Sequence, residues 1–228
     1  MSLGLARRAI GRLAVAAVAA YAVAACVAPI GGGNGATPTP AVPPESDPPT
    51  SCPTSQPAPL AAGAVRDVTI ETSLGTIVIE IQADLSPIAT GNFVALASCG
   101  YYDGVVFHRA ATLADGTPFV IQGGDPTGTG RGGPGYTIAD ELVTAAYGRG
   151  TVAMARTAEP NSVGSQFFIV LDDAARDVLA SYNTYQIIGA VTSGMDVADA
   201  IHADAESDLP SNPIAMESVT VSPKEDRQ

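Results

Sequence analysis

The sequence predicts a mainly-β fold of eight short strands and two helices, an arrangement that suggests a closed antiparallel barrel capped at its ends and free of exposed sheet edges. Three observations lead there. Apolar residues alternate with polar ones, or gather in runs of four to six, at eight places between residues 66 and 221. Connections rich in Gly and Pro separate these runs, and only two stretches carry helical spacing. Periodicity alone leaves barrel and sandwich undecided.

The first strand pair opens at Arg66. Val68 and Ile70 oppose Thr69 and Glu71, and after a turn at Ser73-Leu74-Gly75 the residues Ile77, Ile79 and Ile81 oppose Thr76, Val78 and Glu80. That spacing predicts a β-hairpin with one buried face. Ser86-Pro87 reads as a helix N-cap followed by proline at the first helical position, and Ala89, Phe93, Leu96 and Ala97 share one face before Gly100 stops the helix. Further strands are expected at Val105 to Arg109, Phe119 to Gln122, Thr151 to Ala155, Phe167 to Leu171, Gln186 to Val191 and Ser218 to Val221. The second helix is expected at Met195 to His202. With 228 residues in all, the chain has room for one core, and abundant Val, Ile, Leu and Ala fill it without any Trp.

What precedes that core reads differently. Residues 1–25 combine Arg7, Arg8 and Arg12 with an apolar run from Leu13 to Ala25, too short for a comfortable membrane span, and so predict an export signal. The tetrad Val23-Ala24-Ala25-Cys26 resembles the bacterial lipobox, which implies cleavage before Cys26 and lipidation of its thiol. Two acyl chains would then hold the mature protein on the outer side of a membrane; an ordinary secretory signal would release it. Residues 26–64, rich in Pro, Gly, Ser, Thr and Ala, have too little apolar surface to offset ordering entropy, and predict a semi-extended tether. The folded domain is expected over 65–223, with a short tail at 224–228. Of the remaining thiols, Cys52 falls in the tether and Cys99 at the helix end; a disulfide between them is open to an exported protein but is not the favoured expectation.

Charge excludes other classes. The formal net charge is −12, and no Lys/Arg stripe interrupts the acidic surface, which disfavours nucleic acid as a partner. The only histidines are His108 and His202, and there is no C-x-x-C, so no metal site is expected. Gly123 to Gly135 lacks the closing Gly-Lys-Ser/Thr of a phosphate-binding loop.

Four blocks carry the functional reading: Phe107-His108-Arg109, then Phe119-Val120-Ile121-Gln122-Gly123-Gly124-Asp125, then Met154-Ala155-Arg156, then Gly164-Ser165-Gln166-Phe167-Phe168-Ile169. In type and order they resemble the cyclophilin family, over about Val68 to Val221. The resemblance implies an eight-stranded barrel with two capping helices, and prolyl isomerase activity on proline-containing polypeptides by a cofactor-free monomer. It also implies Arg109 as the catalytic arginine, with Gln122 orienting the peptide backbone and His108 shaping the pocket wall. By the same resemblance Phe119, Val120 and Phe168 line a cup for the proline ring, with Tyr185 beside it. Ala155, Arg156, Thr157 and Gln166 lie along the bound backbone. Arg156 stands where Asn is common, residues 110–118 form a longer link that is expected to reach over the groove, and the family's frequent Trp is missing near Leu179 to Ser181, which should weaken cyclosporin binding.

These residue types suit the chemistry. An X-Pro amide is held planar by resonance with a rotational barrier of roughly 18–20 kcal/mol, and uncatalysed isomerisation takes tens of seconds or longer. No bond breaks, so a catalyst needs only to favour the twisted amide over the planar one. A guanidinium, permanently charged and with several donors in one plane, can bond the prolyl carbonyl while its field favours the localised nitrogen lone pair. Adjacent Phe167 and Phe168 must point to opposite faces of their strand, so Phe167 is assigned to the core and Phe168 to the cup. The alternative is a non-catalytic module that binds proline peptides as a chaperone or scaffold, which would have less use for the polar pair Arg109 and Gln122. A solute-binding lipoprotein would need a larger chain with two α/β lobes.

Overall fold

Branched residues at every second position build the first hairpin of the computed structural model, which describes residues 51–223. β1 (Val65–Thr72) and β2 (Gly75–Gln82) pair in register from Val65 opposite Gln82 to Thr72 opposite Gly75, with Val68, Ile70, Ile77, Ile79 and Ile81 fully buried on one face. The export segment, Cys26, the tether up to residue 50 and the tail 224–228 lie outside the described residues. After a 3-10 turn at Ala83–Leu85 come α1 (Pro87–Ser98), β3 (Arg109–Thr112), β4 (Pro118–Gly123), β5 (Thr151–Met154) and β6 (Phe167–Val170). α2 (Ala175–Tyr182), β7 (Ile187–Ser193), α3 (Met195–Asp204) and β8 (Ser218–Pro223) complete the chain. No helix among the described residues is long and apolar enough to cross a membrane.

The eight strands form one antiparallel sheet in the order β3-β4-β6-β5-β7-β2-β1-β8. The sheet curls into a half-barrel rather than the closed barrel expected. Its outer strands β3 and β8 do not pair; the chain just before each forms a single bridge, Val106 with Ala215, supported by Phe107 N–H to Ile214 O at 2.9 Å and Met216 N–H to Val105 O at 2.9 Å. Pro210 and Pro213 offer no N–H to extend that pairing. The same fact displaces β3: the apolar run from Val105 lies against the 214–216 segment, and the strand begins only at Arg109.

The sheet has an apolar layer on each side. Its concave face, with α1 and α3, encloses the larger core of Phe93, Phe107, Ile121, Val152, Phe167 and Ile169. The convex face carries a smaller cluster of Ala111, Val120, Ala153, Phe168, Val170 and Leu179. After Thr151, β5 reads as an apolar run, and β6 does so throughout, because both faces of these strands are buried. Three α-helices are present rather than two. α2 escapes the sequence pattern because only Ala175 and Leu179 of its eight residues are buried.

Helix α1 is buried almost all round, including Thr90 and Asn92 on the flanks of its apolar stripe and Gly91 on the side away from it. Tyr136 and Gly164 cover Asn92, and a strap of residues 52–60 covers Gly91, so the tether ends earlier than expected. A Cys52–Cys99 disulfide fixes one end of this strap to the helix C-terminus, and Leu60 N–H donates to Pro87 O at 2.9 Å at the other. Gly91 makes the approach feasible, since a Cβ there would stand 2.4 Å from Ala58 O. The Pro-rich segment gains order because its few apolar residues, Leu60 among them, pack on the core, and the disulfide removes part of the entropy that opposes this. Ser86 does not cap α1 through its side chain, which donates to Leu85 O. The Glu141 carboxylate accepts Ile88 N–H at 2.8 Å and Ala89 N–H at 2.9 Å instead.

The disulfide closes a loop of 47 residues. The Cys52→Ser/Cys99→Ser variant is expected to lose about 2–4 kcal/mol of stability in urea titrations, and reductant should shift the wild-type curve by a similar amount while leaving the variant's curve in place.

Candidate active site

Cross-strand register assembles the convex-face site. Arg109 is opposite Gln122 in the β3–β4 ladder, Gln122 opposite Phe168 in β4–β6, and Phe168 opposite Ala153 in β6–β5. These residues form one row across four strands, so their side chains emerge on the same face. Val120 lies two residues along β4, and Phe119 follows a separate rule. The β3–β4 register shifts between Ala111 and Thr112, so that Phe119 is an extra residue between Val120 and Pro118. Such a bulge re-aims its side chain, and Phe119 also faces the site.

Together they line a cavity of about 460 Å³ with His108, Ala155, Arg156, Leu179 and Tyr185. Phe168 forms part of its floor at 4 % exposure, and the Tyr185 ring meets it edge to face, with centroids 5.4 Å apart. Phe167 points the other way, into the larger core. Tyr185 is held by Tyr147, whose hydroxyl donates to Tyr185 O at 2.9 Å. Burial pushes the Tyr147 hydroxyl up to about 12, so it remains a donor. An adjoining cavity of about 880 Å³ begins at Gln122, Ala155 and Arg156 and is continued by Thr157, Ser162, Gln166 and the 130–137 loop. All eleven expected catalytic and substrate-binding residues thus line one or the other cavity. Cys26 lies outside the described residues.

The polar side of the first cavity is a relay. Arg109 donates to Gln122 Oε1 at 3.4 Å, Gln122 donates to Gln166 Oε1 at 2.9 Å, and Gln166 donates to Gly132 O at 2.9 Å. Arg109 has no carboxylate within ion-pair distance among the described residues, so its remaining donors face the cavity. Arg156 is its opposite. It pairs with Asp140 at 2.8 Å and donates to Thr157 O at 3.1 Å and Glu159 O at 2.8 Å, which makes it a piece of the rim with its donors engaged. His108 is 4 % exposed, and neither ring nitrogen makes a hydrogen bond of ordinary geometry, although the Val106 backbone and the Gln166 side chain lie near enough to act weakly on the ring. Burial lowers its pKa, the nearby Arg109 acts in the same direction, and Asp125 opposes them, so the ring is neutral at ordinary pH.

One residue that the sequence reading left without a role organises this wall. Asp125 is fully buried, and its carboxylate accepts Thr127 N–H at 2.7 Å, Thr129 N–H at 3.1 Å, Arg131 N–H at 3.0 Å and Gly132 N–H at 3.0 Å. Burial alone would raise its pKa, but these bonds outweigh it and hold the carboxyl well below the usual range. Gly132 has no alternative, because a Cβ there would lie 2.0 Å from Asp125 Oδ1. The signal was present in the string Asp125-Pro126-Thr127-Gly128-Thr129, where an Asp precedes residues that favour turns closed by its own side chain. Val178, Tyr182 and Leu209 also line the cavity without having been anticipated. The 110–118 link, by contrast, does not arch over the groove: it continues β3 and β4 and turns at Leu113 to Thr117, where Leu113 N–H meets Thr117 O at 2.8 Å. Among the described residues no cluster of His, Cys, Asp or Glu is arranged to hold a metal ion.

The family model for cyclophilin type peptidyl-prolyl cis-trans isomerases matches residues 67–221. This chain belongs to that family. Among its relatives, peptidyl-prolyl cis-trans isomerase ppi1 of Schizosaccharomyces pombe is 44 % identical over 67 % of this chain and 96 % of its own length. The probable peptidyl-prolyl cis-trans isomerase A of Mycobacterium leprae is 35 % identical over 68 % of this chain and 91 % of its own. A crystal structure of a cyclophilin type isomerase from Cryptosporidium parvum superposes with a TM-score of 0.60 at 30 % identity, covering 71 % of this chain and 99 % of that one. The same protein crystallised in the presence of the dipeptide Ala-Pro gives a TM-score of 0.58 at 31 % identity over 68 % of this chain and 98 % of that one. Peptidyl-prolyl isomerisation is therefore the activity that family membership supports.

Two measurements follow from this wall. With His108 held neutral, kcat/KM for an X-Pro peptide is expected to stay flat from about pH 6.5 to 8; an inflection in that window, absent in His108→Gln, would mean that the ring titrates freely. Asp125→Ala is expected to lower stability by at least about 2 kcal/mol. The folded-state carboxyl is depressed, so its contribution is complete above about pH 4 and lost as pH falls below it. The variant's stability should accordingly depend less on pH in that acid range.

Proposed function

We propose that Arg109 drives X-Pro isomerisation by stabilising the twisted amide electrostatically, on polypeptides met outside the cytoplasm. The observation that carries the reading is the row Arg109–Gln122–Phe168, which sets a guanidinium with spare donors beside an apolar cup. Phe119, Val120, Phe168 and Tyr185 hold the proline ring by burial, while Gln122 and Gln166 accept and donate along the backbone that precedes it. The Arg109 guanidinium bonds the prolyl carbonyl and, as resonance breaks, favours the localised lone pair on nitrogen. His108 stays neutral and adds no charge to the cup, and Arg156 on its rim is paired with Asp140, which leaves Arg109 as the lining cation without a carboxylate partner. Nothing is transferred, so no cofactor takes part.

The extracytoplasmic setting draws support from two independent features. The first 26 residues carry the charge and apolar pattern of an export signal ending at Cys26. The Cys52–Cys99 disulfide belongs in an oxidising compartment. In this reading Cys26 carries the lipid that holds a monomeric enzyme at the membrane, and the Pro-rich residues beyond it space the groove from the surface.

Arg109→Ala is expected to lower kcat/KM for an X-Pro peptide about a hundredfold or more, with the thermal unfolding transition retained. Equal rates in variant and wild type would reject the mechanism. Mass measurement of the mature N-terminus checks lipidation: a diacylglyceryl adduct on Cys26 supports it, and an unmodified or differently cleaved terminus rejects it.

A further inference from the structure

We propose that α2 and the 206–211 loop form an apolar collar around the cup, which selects substrates with a large apolar side chain directly after the proline. The inference rests on the isomerase reading for the direction in which the peptide runs. Five large hydrophobic residues stand exposed among the described residues, and three of them, Val178 at 40 %, Tyr182 at 64 % and Leu209 at 68 %, line the mouth of the same cavity. Scattered single apolar residues are ordinary on a protein surface, whereas a cluster around a binding cavity marks a contact site.

The collar is continuous with the cup. Ala175 and Leu179 anchor α2 against the convex-face core, and Val178 and Tyr182, one turn apart, are left to the cavity. The Tyr182 ring lies 6.2 Å from that of Tyr185, which in turn lies 5.4 Å from Phe168, so one aromatic wall runs from the floor to the mouth. Leu209 is fixed too. Asp208 O accepts Ala110 N–H at 3.0 Å, Ser207 donates to Leu209 O at 2.9 Å, and Ser211 N–H reaches the Glu206 carboxylate at 2.5 Å. Surfaces held in place lose little entropy when a ligand side chain settles on them.

Geometry assigns the occupant. With Arg109 bonded to the prolyl carbonyl, the next residue of the peptide leaves past Arg109, and the Asp208–Ala110 hydrogen bond puts Leu209 beside that exit. Gln122 and Gln166 lie toward the second cavity, which takes the chain before the proline. Asp177 and Asp208, adjacent in sequence to Val178 and Leu209, disfavour an acidic residue at the collar.

The test uses the full chain and peptides that differ only after the proline: Phe, Gly or Glu. Turnover and binding are measured in parallel, by isomerisation rate and by peptide titration. Wild type is expected to prefer Phe over Gly by about tenfold in kcat/KM and in Kd, with Glu the poorest. In Tyr182→Ser/Leu209→Ser the Phe-to-Gly ratio is expected to fall to about twofold or less. A wild-type ratio near one, or a ratio that survives in the double variant, overturns the collar even when turnover is normal. Binding with the expected ratio but no turnover of any peptide keeps the collar and overturns the isomerase reading, and absence of both overturns the two together.

Discussion

Register between β3, β4 and β6 is the constraint on which the site depends, because it alone places Arg109, Gln122 and Phe168 in one row on the convex face. A slip of one residue in β4 would turn Gln122 into the larger core and bring Ile121 out to the groove. Burying an unpaired polar side chain there would be strongly unfavourable, so the core that holds Ile121 and Phe167 enforces the register from behind. The bulge at Phe119 works within that frame. It lets two consecutive residues, Phe119 and Val120, face the same cavity, which regular alternation forbids.

How much of this was legible depends on where the determining contact lies. Strands with one buried face, such as Val68 to Glu71 and Ile77 to Ile81, declare themselves by alternation, and β6 does so by an unbroken run of Phe-Phe-Ile-Val. The Phe167/Phe168 division needed only the pleat. The start of β3 was misplaced because the partner of Val105 to Phe107 is the segment 214–216, more than a hundred positions away and cut short by Pro213 before it. α2 was missed for a local reason: a short helix with only Ala175 and Leu179 buried leaves too weak a stripe. The strap was missed because composition reports how much apolar surface a segment has, not that a disulfide and a helix opened by one glycine, Gly91, are waiting for it.

The 139–141 segment shows how distant parts of the chain bear on the groove. Ala139 N–H donates to Gln56 of the strap at 2.9 Å, Asp140 pairs with Arg156 on the groove rim, and Glu141 caps α1. Three consecutive residues thus tie the N-terminal cover, the substrate groove and the main helix to one another. Gln186, fully buried, adds a bond from its amide to Glu141 at 3.1 Å, which fixes the carboxylate that serves as the helix cap.

That junction also explains why two arginines at one groove play different parts. Arg156 meets a carboxylate and two backbone carbonyls, so a passing peptide carbonyl must compete with bonds already made. Arg109 has a single long bond to an amide oxygen, 3.4 Å, and no carboxylate to discharge its field. A neutral partner orients the guanidinium without neutralising it. In a cup floored by Phe168, where the effective dielectric is low, that residual charge would act at its strongest on an amide whose electron distribution changes, as the proposed mechanism requires. The acidic surface of the chain makes this more telling, since elsewhere on the described domain Arg149 and Arg176 are both paired with aspartates. The field available at position 109 thus follows from what its neighbours withhold as much as from the arginine itself.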